Sequence, residues 1–533
     1  MIFFSCHEKK DTYGGKKVFR YNESAGITSL DPAFATNQAN IWACNHLFNG
    51  LVQLDEKLHV LPSIASSWEV SDDAMTYTFH LRNDVSFHDD PLFTTTRKVI
   101  AADFLYSFNR IADKKVASSG AWIFNPIKRN KAGELIGFIN KNDSTFIIQL
   151  DHPFPPFLGL LASPYASVVP NEIVEHYGKD FRNHPIGTGP FLFNRWIERT
   201  ALILHKNPNY FEVDKKGHRL PYLDAIMISF ISDKQSAFLE FLKGKLDFNS
   251  GLDASYKDDL LTPNGKLRNK YVGRFQMETA PYLNTEYLGI LMDSNLAAMK
   301  GNPLNDIRIR QAINMGFDRS KMITYLRNGM ATPGVAGMIP LGIPGFDSLS
   351  TIGYHYDPKK ALQLLADAGY PNGKGLPPIL MSTTNSYQDL CEYIQGQLAE
   401  IGITIKLEIN QAGQHRQMVS KQQLSFFRGS WIADYADAEN YLALFYSKNK
   451  APNGPNNTHY SNPYFDKLYE QSMQTNNDTL RWKLYSEMDN LVMKDAPVVV
   501  LYYDRVLRLF GNNVHGLKMN PLNLVTLKEV DLK

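Results

Sequence analysis

The sequence predicts an α/β chain, and three observations carry that prediction. Short alternating segments that read as strands are interleaved with helices that bring their own caps. Pro- and Gly-rich turns, such as Pro185 to Pro190 and Gly334 to Gly345, separate them. No period of 20–50 residues repeats, and no run of about 18 apolar residues occurs, which argues against a solenoid and against a membrane-spanning helix. At roughly 150 residues per unit, a chain of 533 residues holds about three to four domain-sized pieces. Its 44% hydrophobic and 12% aromatic content is enough to fill their cores.

In chain order, Thr76 to Arg82 alternates apolar and polar residues, as a half-buried strand does. Thr145 to Leu150, Leu202 to Lys206, Ile226 to Ile231 and Thr285 to Met292 read as strands bounded by Asp, Asn, Gly or Pro. A helix is marked by Ala237, Phe238, Phe241 and Leu242 and ends at Gly244. Asp306 caps another through Ile309, Ala312, Ile313 and Phe317. Asp357-Pro358 opens a third, with Asp as the cap and Pro at the first helical position, and Gly369 stops it. Tyr387 to Glu400 and Tyr464 to Met493 read as two further helices. Cys44 and Cys391 sit in apolar helical contexts and read as buried free thiols.

Lys+Arg 56 against Asp+Glu 54 leaves a net charge of +2, without the basic excess of a dedicated nucleic-acid binder. Three cysteines cannot build a disulfide scaffold. The chain has no phosphate-cradling Gly-x-x-x-x-Gly-Lys-Ser/Thr loop, no Gly-x-Ser-x-Gly elbow, and no His-Glu-x-x-His or paired-cysteine metal spacing. Gly187-Thr188-Gly189-Pro190 starts like a dinucleotide fingerprint, but lacks the third glycine and loses an N–H at the proline. His176 and His184 read as solvated side chains rather than a metal pair. No catalytic residue, metal ligand or cofactor is assigned.

The N-terminus, Met1 to Cys6, is too short for a signal peptide with its own basic and apolar regions. It reads as the end of one, with apolar residues and a small residue directly before Cys6. The polar, Gly-containing stretch from His7 to Lys17 suits a tether. On that reading Cys6 is a lipidation site and translation begins upstream. The other reading is an ordinary start with a chance cysteine.

One segment stands apart, Phe427 to Tyr441, which mixes cationic, aromatic and anionic residues with Gly and Ala. The period-2 geometry of an extended chain puts Arg428, Ser430, Ile432 and Asp434 on one side and Trp431 on the other. At about 3.3 Å per residue, Arg428 and Asp434 would stand some 20 Å apart, which suits an extended zwitterion. A surface turn with a solvated Asp and a packing Trp is the alternative.

Trp431-x-Ala433-Asp434-Tyr435, followed by Asp437 and Asn440, resembles the signature of the extracytoplasmic peptide-binding proteins of ABC transporters, solute-binding family 5, which includes oligopeptide- and dipeptide-binding proteins. Ser29 to Pro32, Leu61 to Trp68, Tyr77 to Arg82, Val85 to Asp89, Ala102 to Arg110, Pro185 to Phe191, Asn207 to Tyr210, Pro303 to Arg319 and Asp357 to Pro371 continue the resemblance in order, over about residues 20 to 510. Two departures stand out: Phe87-His88-Asp89-Asp90 replaces the usual Phe-His-Asp-Gly, and Asp437-Ala438 stands where Asp-Pro is usual.

The resemblance implies an α/β, two-lobed periplasmic-binding-protein fold (class II, Venus-flytrap) with an additional small inserted domain. It maps 1–17 to a signal remnant and lipid tether, 18–54 with 180–277 and 495–533 to a discontinuous lobe I, 55–179 to the inserted domain, and 278–494 to lobe II. It implies a binding protein, not an enzyme, that captures short peptides between the lobes and delivers them to an ABC permease complex. Asp434 would take the ligand's α-ammonium and Arg428 a ligand carboxylate. Backbone groups from Gly429 through Ser430, Ile432 and Ala433 would pair with the peptide main chain, Trp431 would wall a side-chain pocket, and Tyr435 would border the site. The protein would be an extracytoplasmic monomer that meets the membrane only through a lipid on Cys6 and binds no nucleic acid. The same fold could instead hold a nickel chelate, haem, an opine or an oligosaccharide, and a surface peptide hydrolase is the reading from another class.

Overall fold

The computed structural model describes residues 14–250 and 254–533. Cys6 and most of the expected tether therefore lie outside the described residues. Lys17 is already docked: its backbone N–H donates to the Asp224 carboxylate (2.8 Å) and its ammonium meets Asp531 (2.5 Å).

A mixed sheet of eleven strands runs through the molecule. At one end the parallel strands Val18–Asn22 and Ala225–Ser229 pair, and Ala201–Lys206 and Phe191–Ile197 extend them antiparallel. At the other end lie Ile405–Asn410, Ile379–Thr384 and Phe426–Ile432. Two long antiparallel strands, Gln276–Ile290 and Val498–Phe510, join the two ends. Their register slips between Pro281 and Thr285 and again between Glu286 and Tyr287, and an irregular ladder lets a strand pair bend where a regular one resists. A separate antiparallel sheet, Ala65–Val70, Thr76–Leu81, Thr145–Gln149 and Phe138–Asn142, forms the small inserted body with the helix Ala101–Ala112. This is the expected two-lobed α/β architecture.

The cores follow this division. Phe19, Tyr21, Trp42 and Phe248 are fully or almost fully buried in lobe I. Phe79, Phe104, Phe108 and Phe146 fill the inserted body. The second lobe has two cores, on opposite faces of its part of the sheet, around Leu288, Ile313 and Phe426 and around Tyr441, Phe465 and Tyr485. Cys44 and Cys391 are buried and unpaired within helices, and burial pushes the Cys391 thiol up to about 11. No helix among the described residues is long and apolar enough to cross a membrane.

Several helices start where the sequence places a cap. Asp357 accepts from Lys360 N–H and opens Pro358–Asp367, and Asp306 accepts from Arg308 N–H and opens Ile307–Met315. Two expectations need correction. The strand expected from Thr285 begins nine residues earlier, at Gln276, because it crosses between lobes and pairs on both edges. The helix expected over Tyr464 to Met493 is two helices, Pro463–Met473 and Asp478–Asp495. Asn477 interrupts it by accepting from Leu480 N–H as the cap of the second.

Family-like motifs far apart in sequence meet at the joints. Arg110 grips Asp31 with two hydrogen bonds, 3.0 and 2.6 Å, tying the inserted helix to lobe I. His88 is buried between the inserted body and the Pro185–Pro190 turn. Its Nε2–H donates to Gly189 O (3.0 Å), and Gly187 N–H lies 3.4 Å from its Nδ1, which fixes the tautomer. Gly187 and Gly189 press on the end of the helix Gln38–Leu47: a Cβ on either would stand 2.1 or 2.4 Å from Leu47 backbone atoms.

Candidate functional site

The strand Phe426–Ile432 carries the site. Along one edge it pairs antiparallel with Gln276–Ile290 over its whole length. Leu291 N–H donates to Ser425 O and Ala433 N–H to Leu283 O, so the odd-numbered residues turn their backbone groups to that partner. The even-numbered residues then face the opposite edge. There the parallel neighbour Ile379–Thr384 reaches only Phe427, and the His415 ring donates to Arg428 O at 2.9 Å. Ser430 and Ile432 therefore present their N–H and C=O groups to an edge that no neighbouring strand covers, which is what an added extended chain requires.

The strand ends at Ile432, and the chain turns through Ala433 to Ala438 into the short helix Glu439–Leu442. Asn440 organises this turn. Its side-chain oxygen accepts from the Trp431 indole N–H (2.8 Å) and from Asp434 N–H (3.2 Å). With that oxygen engaged, its amide N–H groups are left for the Asp434 carboxylate, whose pKa they lower. Protein around the cleft displaces bulk water, and this larger effect raises the Asp434 pKa. The carboxylate still reaches cleft solvent and has no ion-pair partner among the described residues. It is a carboxylate without a cation at the end of an open strand edge.

The other charges here are spent internally. Arg428 pairs with Glu286 and lies 3.4 Å above the Tyr387 ring. Asn284 bonds Glu286 at 3.2 Å and Asp504 at 2.9 Å. Burial raises the Glu286 pKa, and Arg428 works against that rise. Arg481 holds Asp437 at 2.9 Å and Asp478 at 3.3 Å.

A cleft of about 790 Å³ opens beside this turn. Of the eight residues expected in the site, Ile432, Ala433, Asp434 and Tyr435 line it, and Arg428, Gly429, Ser430 and Trp431 do not. Trp431 packs against the second lobe's core instead. Trp122 and Tyr165 of the inserted body line the same cleft as Asp434, with the edge of the buried Trp42 behind them, and Tyr282 and Trp482 line it as well. Sequence reasoning missed these aromatics because they come from five separate stretches. It also left unused the acidic residue Glu439, which lay within the singled-out segment. Among the described residues, no three His, Cys, Asp or Glu side chains gather as a metal ion would need.

Comparison with known proteins gives a consistent picture. The family model for bacterial extracellular solute-binding proteins, family 5 (middle region), matches residues 59–453. The glutathione-binding protein GsiB of Salmonella choleraesuis (strain SC-B67) is 26% identical over 516 residues, covering 96% of this chain and 93% of the relative. The periplasmic murein tripeptide-binding protein MppA, in its unliganded open form, superposes with a TM-score of 0.82 at 24% identity, over 97% of this chain and 98% of the other. The periplasmic binding protein DppA of Helicobacter pylori, in complex with the peptide STSA, superposes with a TM-score of 0.73 at 26% identity, over the same shares.

Proposed function

The chain belongs to the bacterial extracellular solute-binding proteins of family 5, and from that premise we propose that it captures short peptides in the cleft beside Asp434 and delivers them to an ABC permease. The observation that carries this reading is the unpaired Asp434 carboxylate at the end of an open strand edge. A peptide's α-ammonium supplies the missing cation. Its main chain supplies the donors and acceptors that Ser430 and Ile432 offer. Affinity then comes from groups every peptide shares, and the aromatic walls contact side chains without demanding one in particular. The peptide bound to DppA and the peptide named for MppA support the class. Glutathione, named for GsiB, adds a tripeptide with a free ammonium to the candidates.

Arg428 is the candidate for a ligand carboxylate, with its charge shared with Glu286. No bond chemistry is assigned, so the work is binding coupled to lobe closure. We assign the protein to the extracytoplasmic side as a monomer, with Cys6 as its lipid attachment, and keep the lobe boundaries given above.

The test is Asp434→Ala. Removing one partner of a buried charge pair costs about 3–5 kcal/mol, or roughly two to four decades of affinity. Calorimetry with trialanine and glutathione should show that loss, and N-acetylating the peptide should cost the wild type about as much. Unchanged peptide affinity in Asp434→Ala would refute the ammonium site.

A further inference from the structure

Tyr435 directly follows Asp434, yet its ring belongs to the core of the inserted body across the cleft. It lies 6.4 Å from the Trp122 ring at 31° and 6.2 Å edge-on from the Phe154 ring. It thus bridges the two sides of the cleft at the residue next to the proposed ammonium site. What holds it is a buried carboxylate. The Tyr435 hydroxyl donates to one oxygen of Glu439, and the Tyr469 hydroxyl, from the helix Pro463–Met473, donates to the other. Glu439 is 2% exposed.

We propose that Glu439 is the positioning residue for cleft closure: ionised, it holds the Tyr435 ring firmly against Trp122 and Phe154, and protonated, it loosens that bridge. The proposal rests on the peptide-capture reading for its link to affinity, but not for the bridge itself. The reason lies in hydrogen-bond inventory. A carboxylate accepts from both tyrosines at once. A protonated carboxyl donates from one oxygen, so the tyrosine there becomes the acceptor and turns its own O–H away from Glu439, and both bonds lose the strength that the carboxylate charge gave them. Tyr469 is fixed further by stacking on Tyr446 at 4.4 Å, so Tyr435, at the cleft, is the one that turns its hydroxyl and loosens.

The charged and titratable groups facing Glu439 are few. Tyr435 and Asp437 come from its own segment, Tyr469 from the helix Pro463–Met473, and Arg481 and Tyr485 from the helix Asp478–Asp495. The inserted body contributes Trp122 and Phe154 to the bridge, neither of which titrates. Asp437 raises the Glu439 pKa and Arg481 lowers it, while these two are paired with each other at 2.9 Å. Burial is the largest effect and pushes Glu439 up to about 7, which puts the exchange in the neutral range.

Two readouts test this. The first needs no ligand: the fluorescence of Trp122, taken as the difference between wild type and Trp122→Phe, followed from pH 5.5 to 8.5. A transition near pH 7 that disappears in Glu439→Gln is expected. Its absence in the wild type overturns the proposal, whatever the protein binds. The second is calorimetric binding of trialanine. Wild-type affinity should rise about tenfold from pH 6 to pH 8, because with a midpoint near pH 7 the ionised fraction of Glu439 rises from about a tenth to about nine-tenths over that range. Glu439→Gln should be flat across that range, and Tyr435→Phe, which removes only the hydroxyl, should be flat as well. A slope retained in both variants overturns the proposal, since a merely structural glutamate would leave the pH profile unmoved. If trialanine and glutathione fail to bind at every pH while the Trp122 transition is present and lost in Glu439→Gln, the peptide reading fails and the positioning role stands.

Discussion

Arg428 carries a charge that Glu286 already neutralises, whereas the Asp434 carboxylate has no cation beside it among the described residues. That asymmetry makes the amino end of a ligand the stronger handle. Replacing the C-terminal carboxylate of trialanine by an amide should therefore cost the wild type less than about tenfold, against the several decades expected for N-acetylation. A larger loss on amidation, absent in Arg428→Met, would instead give Arg428 the ligand carboxylate. Arg428 also matters to the fold. Its side chain is 13% exposed and that of Glu286 is 3%. Removing the cation leaves a buried, unpaired carboxylate, which costs about 3–5 kcal/mol. Arg428→Met should lower the urea unfolding midpoint accordingly. Adding Glu286→Gln, which removes the stranded charge, should restore much of the loss. An equally unstable double variant would show that the Tyr387 stacking, not the pair, is what Arg428 supplies.

Between elements, the joints are built from groups that tolerate little change. The His88 ring ties the inserted body to the Gly187–Gly189 turn, and its burial lowers its pKa to about 4. The unfolded chain takes up this proton near pH 6.5, but the folded one does not until about pH 4. The stabilising contribution is thus fully present above pH 6.5 and is lost as pH falls from 6.5 towards 4, by about 3 kcal/mol in all at 1.36 kcal/mol per unit. His88→Gln keeps a donor for Gly189 O and cannot titrate. Its urea midpoint should change less between pH 7 and pH 5 than the wild-type midpoint does, and an equal change would place the pH dependence elsewhere. His88 also shows what the sequence makes legible. The Phe87-His88-Asp89 and Pro185-to-Phe191 stretches were visible as separate pieces, and so were Asp31 and Arg110. That they meet as joints was not, because each contact spans tens of residues and local spacing does not encode it. Caps were readable because a cap is local: Asp306 and Asp357 start their helices as expected. The break at Asn477 went unread because the flanking segments keep apolar residues at helical spacing. At the site, the period-2 pattern set Trp431 on the side away from Asp434, but the strand ends at Ile432, before Asp434; Trp431 is half-buried against the second lobe's core and Asp434 lies at the cleft. The partnership of Arg428 with Glu286 could not be read, because it joins residues 142 apart.

At the scale of the whole molecule, one continuous sheet serves two lobes, and only Gln276–Ile290 and Val498–Phe510 pass through the middle of it. Their broken register sits at Pro281 to Tyr287, within a few residues of Leu283, whose carbonyl accepts from Ala433 N–H and from the Tyr441 hydroxyl (2.8 and 2.7 Å). The irregular stretch is thus fastened to the turn that carries Asp434, so that a ligand held, as proposed, by Asp434 and by the aromatics opposite would favour the closed arrangement. Such a ligand binds the folded chain and not the unfolded one. At a free concentration about 100 times its dissociation constant it adds about 2.7 kcal/mol to the stability. In a chain of this size that is a rise of a few degrees in Tm. Thermal unfolding of ligand-stripped protein, scanned against dipeptides to hexapeptides with oligosaccharides and a nickel chelate as comparators, should show that rise for free peptides alone. N-acetylated forms of the same peptides should leave Tm where it was, because they no longer bring a cation to Asp434. A rise that survives acetylation would keep the cleft as the binding site and move recognition from the ammonium to the open edge at Ser430 and Ile432. A rise with the oligosaccharide or the chelate alone would keep the lobes and their hinge, and replace the peptide with that ligand.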